Sequence, residues 1–480
     1  MAELCDLTAT ELRREIGTGN VSPVELLESC LERIDAVNGA VNAIVAIDRE
    51  QAMATARWAE KAVRGDDGNG LLHGLPLAVK DLEDTAGLRT TYGSLLYEDH
   101  VPKQDHLAVG NARAQGAVIV GKTNTPEFGA GANTRNRVYG ATGNPFDPDL
   151  TCGGSSGGSA VALACSMVPL ASGSDYGGSL RTPASFCGVV GFRPSPGVVP
   201  SDTRPVALSP FSVLGSMGRT VADAALLLAA QAEGNRHDPL SLRYRPDLRE
   251  PLAPADLGKL HVAISTDLGT APVDPSIRKV FAEKTAQFRH VFARAQERDP
   301  DLGPVHEVFE IIRGVTFVAA HGDRLKHHRD MLDTNVIDNT ERGLALSAED
   351  IAWAQVEQSK LYRRVMDMFD EVDILICPAA AVPPFPHGQL YVNQIGVEPM
   401  PTYMRWLAVT YGLTMATPAV CAIPCGVDDR GLPFGIQIAG PNGSDRMVLE
   451  VAHALETYFR DVPALGRPVP DIARLTTKGP

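Results

Sequence analysis

Thr151–Arg181, TCGGSSGGSAVALACSMVPLASGSDYGGSLR, decides how this chain is read: seven of its residues are serine, seven are glycine, and only Asp175 and Arg181 are charged. Gly153-Gly154-Ser155-Ser156-Gly157-Gly158-Ser159 sets hydroxyls among residues without a Cβ, so the backbone there can take torsions closed to other residues and come close to a ligand. Asp175-Tyr176-Gly177-Gly178-Ser179 repeats that chemistry after an apolar helix and an apolar strand. Glycine with serine also makes flexible linkers. A linker does not enclose Ala160-Val161-Ala162-Leu163-Ala164, however, which has to be buried. The two clusters therefore read as ordered turns at a serine-lined site.

Working outward, the 480 residues carry a net charge of −14, with 44% hydrophobic and 21% charged residues. That composition is globular, and the acidic balance argues against polyanion partners, which need clustered Lys and Arg. No charge run, repeat or Pro/Ser-rich linker divides the chain. The start, Met-Ala-Glu-Leu-Cys-Asp, lacks the basic and apolar regions of a secretory signal. Ser166 and Pro169 interrupt the longest apolar run, so no membrane span is expected. The eight cysteines are scattered through apolar sequence and read as reduced thiols of a cytoplasmic protein. Cys421 and Cys425 have no His or Cys neighbours to complete a zinc site, and no metal or other cofactor is expected.

Helices announce themselves through Thr8 with Glu11, and through Ser22-Pro23-Val24-Glu25, which combines a capping box with proline at the first helical position. His73-Gly74-Leu75-Pro76-Leu77-Ala78-Val79-Lys80-Asp81 is a short strand ending in a lysine, with His73 read as a hydrogen-bonded turn residue. Gly116–Thr123 matches the letters of a phosphate-binding loop, but Ala117-Val118-Ile119-Val120 is a buried strand rather than an open nest of N–H donors, and nucleotide binding is rejected. Gly153–Gly157 fits the pattern of a nucleophile elbow, yet a turn, Pro148–Cys152, precedes it where that motif needs a buried strand. Thr220 caps a helix running to Ala232, Leu260–Ser265 is a strand, and Pro275 opens a helix. Met331–Asp370 is largely helical. Val372–Pro378 is a buried strand, and Thr417–Gly440 is a hairpin about Asp428-Asp429-Arg430-Gly431 followed by a helix from Ser444. The segment Ala381–Tyr411, rich in Pro, Tyr, Met and Trp, reads as a loop lining a pocket. Alternating strands and helices imply an α/β fold, a mixed sheet covered by helices on both faces.

GGSSGGSA followed by SGSDYGGSLRTPASFCGVVGFRP resembles the signature block of the amidase signature family. The Gly-x-Pro-x-x-x-Lys-Asp element before it and GKTNTPEF at Gly121–Phe128 are similar to further parts of that family. The resemblance implies one large amidase domain over 1–480, with a signature core at about 70–235 and a C-terminal part of the same fold at about 370–460. It implies amide hydrolysis by a Ser-Ser-Lys triad: Ser179 as nucleophile, Ser155 as a bridging serine on a cis Gly154-Ser155 peptide, and Lys80 as base. Ser155 and Ser179 stand 24 residues apart, as in the family. Backbone N–H groups of Tyr176, Gly177, Gly178 and Ser179 are implied as the oxyanion hole, with Asp175 and Arg181 bracing the loop, Ser156 as a hydrogen-bonding support and Cys152 as a packing residue.

A lysine base has to be neutral, and its unperturbed pKa is about 10.4. Lowering that to about 7 to 8 takes roughly 3 to 5 kcal/mol of differential destabilisation of the ammonium. Burial has the right sign, provided the carboxylate of Asp81 points away. The expected substrate is a small amide, with esters, carbamates and short polyamides open to the same chemistry. Aromatic residues Tyr139, Phe146, Tyr176, Tyr391, Tyr403 and Trp406, with the Ser201–Phe211 segment, are expected to shape the pocket. Relatives of this kind are often homodimers; no nucleic acid or membrane partner is expected. The alternative is the A subunit of a glutamine-dependent tRNA amidotransferase, working inside a nucleic-acid complex. This sequence departs from it at Arg181-Thr182-Pro183, where that protein has a glutamine after the arginine, and at Phe211-Ser212-Val213-Leu214-Gly215.

Overall fold

The apolar runs assemble into one mixed sheet of 11 strands. In a computed structural model that describes residues 3–63, 70–241 and 245–476, the first strands are β1 (Ile44–Ile47), β2 (Pro76–Lys80) and β3 (Val118–Thr123). A two-residue hairpin, β4 (Arg135–Asn136) and β5 (Gly140–Ala141), leads to β6 (Leu170–Asp175), β7 (Val190–Arg193) and β8 (Val213–Gly218). The second half supplies β9 (His261–Ile264), β10 (Arg294–Glu297) and β11 (Ile374–Pro378), a second small hairpin of β12 (Gln394–Ile395) and β13 (Glu398–Pro399), and then β14 (Ala419–Val427) and β15 (Pro433–Gly440). The sheet order is β1-β3-β2-β6-β8-β7-β14-β15-β11-β9-β10.

β2 runs parallel to both β3 and β6, and β9 runs parallel to β10 and β11, while the central pairs from β6 to β11 are antiparallel. Parallel neighbours need a crossover, so helices cover both faces. β2, β3 and β15 are buried along their full length, which explains why these strands read as apolar runs instead of alternating patterns.

The caps act as the sequence implied. Thr8 and Glu11, and Ser22 and Glu25, form reciprocal capping boxes on helices Ala9–Gly17 and Pro23–Val41. Thr220 accepts from Asp223 N–H at the start of Val221–Gln231. His73 Nε2 lies 2.9 Å from Ala59 O. The phosphate-loop lookalike is strand β3, and its Lys122 amine donates to Glu83 O and Thr85 Oγ1. The helical stretch after Met331 divides into Thr334–Leu344 and Ala348–Phe369 because Ser347 and Asp350 start a new helix with their own capping box. No helix among the described residues is long and apolar enough to cross a membrane, and all eight cysteines are free and buried.

The helix Gly157–Ala164 is wholly buried and lies so close to β3 that Gly158 has no room for a side chain. A Cβ there would overlap Asn124 N and lie 2.7 Å from Ala43 O and 2.8 Å from Asn124 O, all backbone atoms that cannot swing aside. Gly39, in helix Pro23–Val41, has nothing within 4 Å of the same position. Gly158→Ala is therefore expected to destabilise the protein by about 1–3 kcal/mol through overpacking, whereas Gly39→Ala gains about 0.5–1 kcal/mol of helix propensity. Chemical denaturation of both variants checks this; equal midpoints would contradict the packing argument.

Candidate active site

Lys80 is the last residue of β2 and is completely buried. Its Nζ lies 2.7 Å from Ser155 Oγ, 2.9 Å from Ser156 Oγ and 2.9 Å from Ser174 Oγ. Ser156 Oγ donates to Ser174 O at 3.3 Å, so its proton is not offered to the amine and it must accept from Lys80. A neutral lysine has two N–H donors and one lone pair. With Ser156 and Ser174 taking the donors, the lone pair is left facing Ser155.

Burial pushes the Lys80 amine down to about 7, against smaller opposing pulls from Glu83 and Asp175. Its neighbour Asp81 points elsewhere, as the sequence required: the carboxylate accepts from Thr91 N–H at 3.1 Å and Thr91 Oγ1–H at 2.6 Å. Of the two carboxylates that pull Lys80 toward its charged form, Glu83 accepts from Ser172 and Asp175 is occupied. It accepts from Arg181 Nη2 at 2.8 Å, Arg181 Nε at 3.0 Å, and the N–H groups of Gly178 at 3.0 Å and Leu180 at 3.1 Å. Arg193 Nη1 lies 2.7 Å from Asp175 O and 3.4 Å from Oδ1. Burial pushes the Asp175 carboxyl up, but Arg181 and then Arg193 outweigh it and hold it well below the usual carboxylate range.

The two glycine–serine clusters meet directly, since Ser156 N–H donates to Ser179 O at 3.1 Å. The Gly154–Ser155 peptide is cis. Ser179 sits on a turn whose Gly178 has φ of 120°, a left-handed torsion that favours glycine. Arg181 ties the base of this turn to the far half of the chain, donating to Thr410 O at 2.8 Å, Gln437 Oε1 at 2.8 Å and Thr414 Oγ1 at 3.0 Å. Of the four N–H groups implied for an oxyanion hole, that of Gly178 is already committed to Asp175. Those of Tyr176, Gly177 and Ser179 have no protein acceptor among the described residues. The donor set is thus smaller by one than the sequence suggested, because the carboxylate that shapes the turn uses one of its amides.

Ser155, Ser174 and Ser179 open onto a cavity of about 300 Å3. Its walls include Leu82, Tyr92, Phe128, Tyr176, Val206, Leu214, Arg313, Phe317 and His321. The Ser201–Phe211 segment contributes as expected, and Phe128 extends the GKTNTPEF element into the wall. Other aromatic expectations are corrected: Tyr139, Phe146, Tyr391, Tyr403 and Trp406 do not line this cavity, and neither does any part of Ala381–Tyr411. Tyr403 and Trp406 are buried in the core, Trp406 packing edge-on against Phe385 with centroids 5.7 Å apart. Their apolar surface is used for packing, and the inner wall falls to the helix Val305–His328 instead.

Three residues of the site had no assignment in the sequence. Ser174 is the third hydroxyl on Lys80. Ser172 accepts from the Lys80 backbone N–H at 3.0 Å and donates to Glu83 Oε2 at 2.8 Å. Glu83 is buried on the cavity wall with Oε1 unpartnered, and burial pushes its carboxyl up to about 7, against Lys122. The available signal was alternation: Ser172 and Ser174 of Ala171-Ser172-Gly173-Ser174-Asp175 share one face of a strand.

The Amidase family profile matches residues 25–449. An acylamidase of Rhodococcus erythropolis is 33% identical over 453 residues, covering 94% of this chain and 95% of its own. The A chain of the glutamyl-tRNA(Gln) amidotransferase of Thermus thermophilus is 32% identical over 477 residues, covering 94% and 97%. Among solved structures, a bacterial aryl acylamidase of the amidase signature family superposes with a TM-score of 0.88 at 27% identity, over 96% of this chain and 99% of that one. Matches that run nearly end to end in both sequence and fold establish that this chain belongs to the amidase family, enzymes that hydrolyse amide bonds.

Proposed function

We propose that the chain cleaves small carboxylic amides to acid and amine through an acyl-enzyme on Ser179, with Lys80 as base and Ser155 as relay. The observation that carries this reading is the buried Lys80 amine, held by three hydroxyls and, among the described residues, hydrogen-bonded to no carboxylate. Such an amine is a proton acceptor near neutrality instead of a fixed cation.

In the forward half-reaction Ser179 attacks the amide carbon. Its proton passes to Ser155, while the Ser155 proton passes to the Lys80 lone pair. The developing oxyanion is met by the N–H groups of Tyr176, Gly177 and Ser179, which need no reorganisation to receive it. The relay then runs backward, protonating the departing nitrogen so that an amine leaves. Water repeats the cycle on the acyl-enzyme, freeing the acid and restoring Ser179. Ser156 and Ser174 orient the amine throughout, and Asp175 and Arg181 hold the turn that carries the nucleophile.

The aromatic and aliphatic cavity wall favours substrates with an apolar or aromatic portion beside the amide, in keeping with the acylamidase relatives. Esters, carbamates and short polyamides present the same carbonyl chemistry. The amidotransferase reading is kept by the 32% identity to its A chain, and it differs in requiring partner chains. Purified alone, this chain is expected to hydrolyse a 4-nitroanilide; strict dependence on added partner chains would favour the amidotransferase reading.

Ser179→Ala and Lys80→Met should each lower kcat by at least about a thousandfold, the scale of losing a nucleophile or its base. Intact-mass spectra of the wild-type enzyme quenched during turnover should show an acyl adduct that Ser179→Ala lacks. An unchanged rate in Ser179→Ala would end the proposal. The Lys80 amine is depressed to about 7, and the active form is the deprotonated one. Activity is therefore expected to fall about tenfold per pH unit below about 7 and to level off above it. A profile flat from pH 5 to 9 on a substrate limited by chemistry would rule Lys80 out as the base.

A further inference from the structure

We propose that the cavity wall built by the helix Val305–His328 is a carboxylate-binding subsite, and that the amides this enzyme prefers carry a free carboxylate a short spacer away from the scissile bond. The inference rests on the amide-hydrolysis reading of the same cavity. It begins with Arg313, which lines the cavity yet is only 6% exposed. Its guanidinium donates through Nε to Asn339 Oδ1 at 3.0 Å and through Nη2 to the Tyr403 hydroxyl. Both partners are neutral. Aromatic faces surround it, with ring centroids of Phe317, Tyr176 and Tyr403 at 4.5, 5.2 and 5.6 Å from Cζ. Ring faces attract a cation, but they do not neutralise it.

The carboxylates that could do so are engaged by other residues. Glu310 and Asp338 border a small cavity together with Arg313, but Glu310 pairs with Arg405 at 3.4 Å and Asp338 with Arg342 at 2.9 Å. Among the described residues Arg313 has no ion pair and Nη1 has no acceptor. Two buried arginines beside the Ser179 turn differ in this respect, since Arg181 and Arg193 share Asp175. A buried cation without an anion is costly, and at a cavity wall an arriving anion would offset that cost.

The feature continues along the helix. Arg313, Phe317, His321 and Arg324 are spaced by 4, 4 and 3 residues, which puts them on one face, and all four line the cavity. Arg324 also lacks an ion pair among the described residues; it donates to the Tyr97 hydroxyl at 3.1 Å and stands 5.0 Å above the Phe128 ring. Burial holds the His321 imidazole down to about 3, reinforced by Arg324 and Arg313, so it stays neutral and leaves the two guanidiniums as the charges of this wall. The third arginine of the cavity, Arg204, is neutralised by Asp238 at 2.9 Å, and the one carboxyl on the wall, Glu83, belongs to the Ser172–Lys80 end. A positive, largely desolvated face separated from the nucleophile suits a planar anion, because a guanidinium fork matches a carboxylate in two parallel hydrogen bonds. Tyr176, which Arg313 overlies, is three residues from Ser179, a separation of at most about 11 Å. The carboxylate therefore sits a short spacer, a few methylenes or a benzene ring, away from the scissile bond.

Two matched comparisons test this. Glutaric mono-4-nitroanilide is set against pentanoic 4-nitroanilide, and 4-acetamidobenzoate against acetanilide, placing the carboxylate on the acyl side and on the amine side. Turnover is measured on the wild-type enzyme and binding by calorimetry on Ser179→Ala. The carboxylate compound of at least one pair is expected to lead by about tenfold or more in both kcat/KM and affinity, the scale of a charge-assisted hydrogen bond. That lead should shrink with added salt, fall in Arg324→Gln, survive in part in Arg313→Lys and vanish in Arg313→Met. Equal values within both pairs for the wild-type enzyme, or a lead that persists in Arg313→Met, would overturn the subsite. If the carboxylate compounds bind Ser179→Ala more tightly while no anilide is turned over, the subsite stands and the hydrolytic reading fails.

Discussion

A lysine amine held in a fully buried position by hydroxyls alone is the constraint from which the rest of the structure follows. Burial by itself would depress its proton affinity, but a single carboxylate at ion-pair distance would restore it. Three carboxylates are close in sequence or in space: Glu83 is pushed up to about 7 by burial and accepts from Ser172, and the other two are taken. Asp81 is turned onto Thr91, and Asp175 is shared by Arg181, Arg193 and two backbone amides. The buried ion cluster around Asp175 therefore does two things at once: it fixes the turn that presents Ser179, and it keeps a negative charge from pinning Lys80.

The sheet brings these parts together. β2 ends in Lys80 and pairs with β6, which carries Ser172 and Ser174 and ends in Asp175. The helix Gly157–Ala164 packs over this pair, with Ser159 Oγ donating to Ser172 O at 2.8 Å, and presents Ser155 and Ser156 from the turn before it. Gly158 permits that approach, since any side chain would strike the backbone beside β3. The polar core is thus enclosed by tight glycine-mediated packing. Three of its hydroxyls, those of Ser155, Ser156 and Ser174, converge on the Lys80 amine.

Away from that core the cavity is of a different character. Helix Val305–His328 and the Ser201–Leu214 segment supply rings, aliphatic side chains and arginines. Ala381–Tyr411 is rich in proline and aromatic residues, a composition that suits a loop facing a ligand. Here Tyr403 and Trp406 are buried instead, with Tyr403 taking a hydrogen bond from Arg313. Composition reports that a segment has apolar surface to cover; it does not say what covers it.

Local chemistry was legible in the chain itself. The capping box at Ser22, the buried strands, the hairpin of β14 and β15, and the rejection of a phosphate loop at Gly116–Thr123 all rest on short-range patterns, while the grouping of Lys80 with Ser155, Ser156 and Ser179 as candidates rests on the resemblance of long motifs to a known family. Tertiary structure alone decided the rest. It placed Ser174 on Lys80, diverted the Gly178 amide to Asp175, left Glu83 with an unpartnered oxygen and put Arg313 into an aromatic cage with no counterion among the described residues. Those outcomes depend on which side chains meet across elements far apart in the chain, and on how much water is excluded when they do. Neither quantity is a property of any segment by itself.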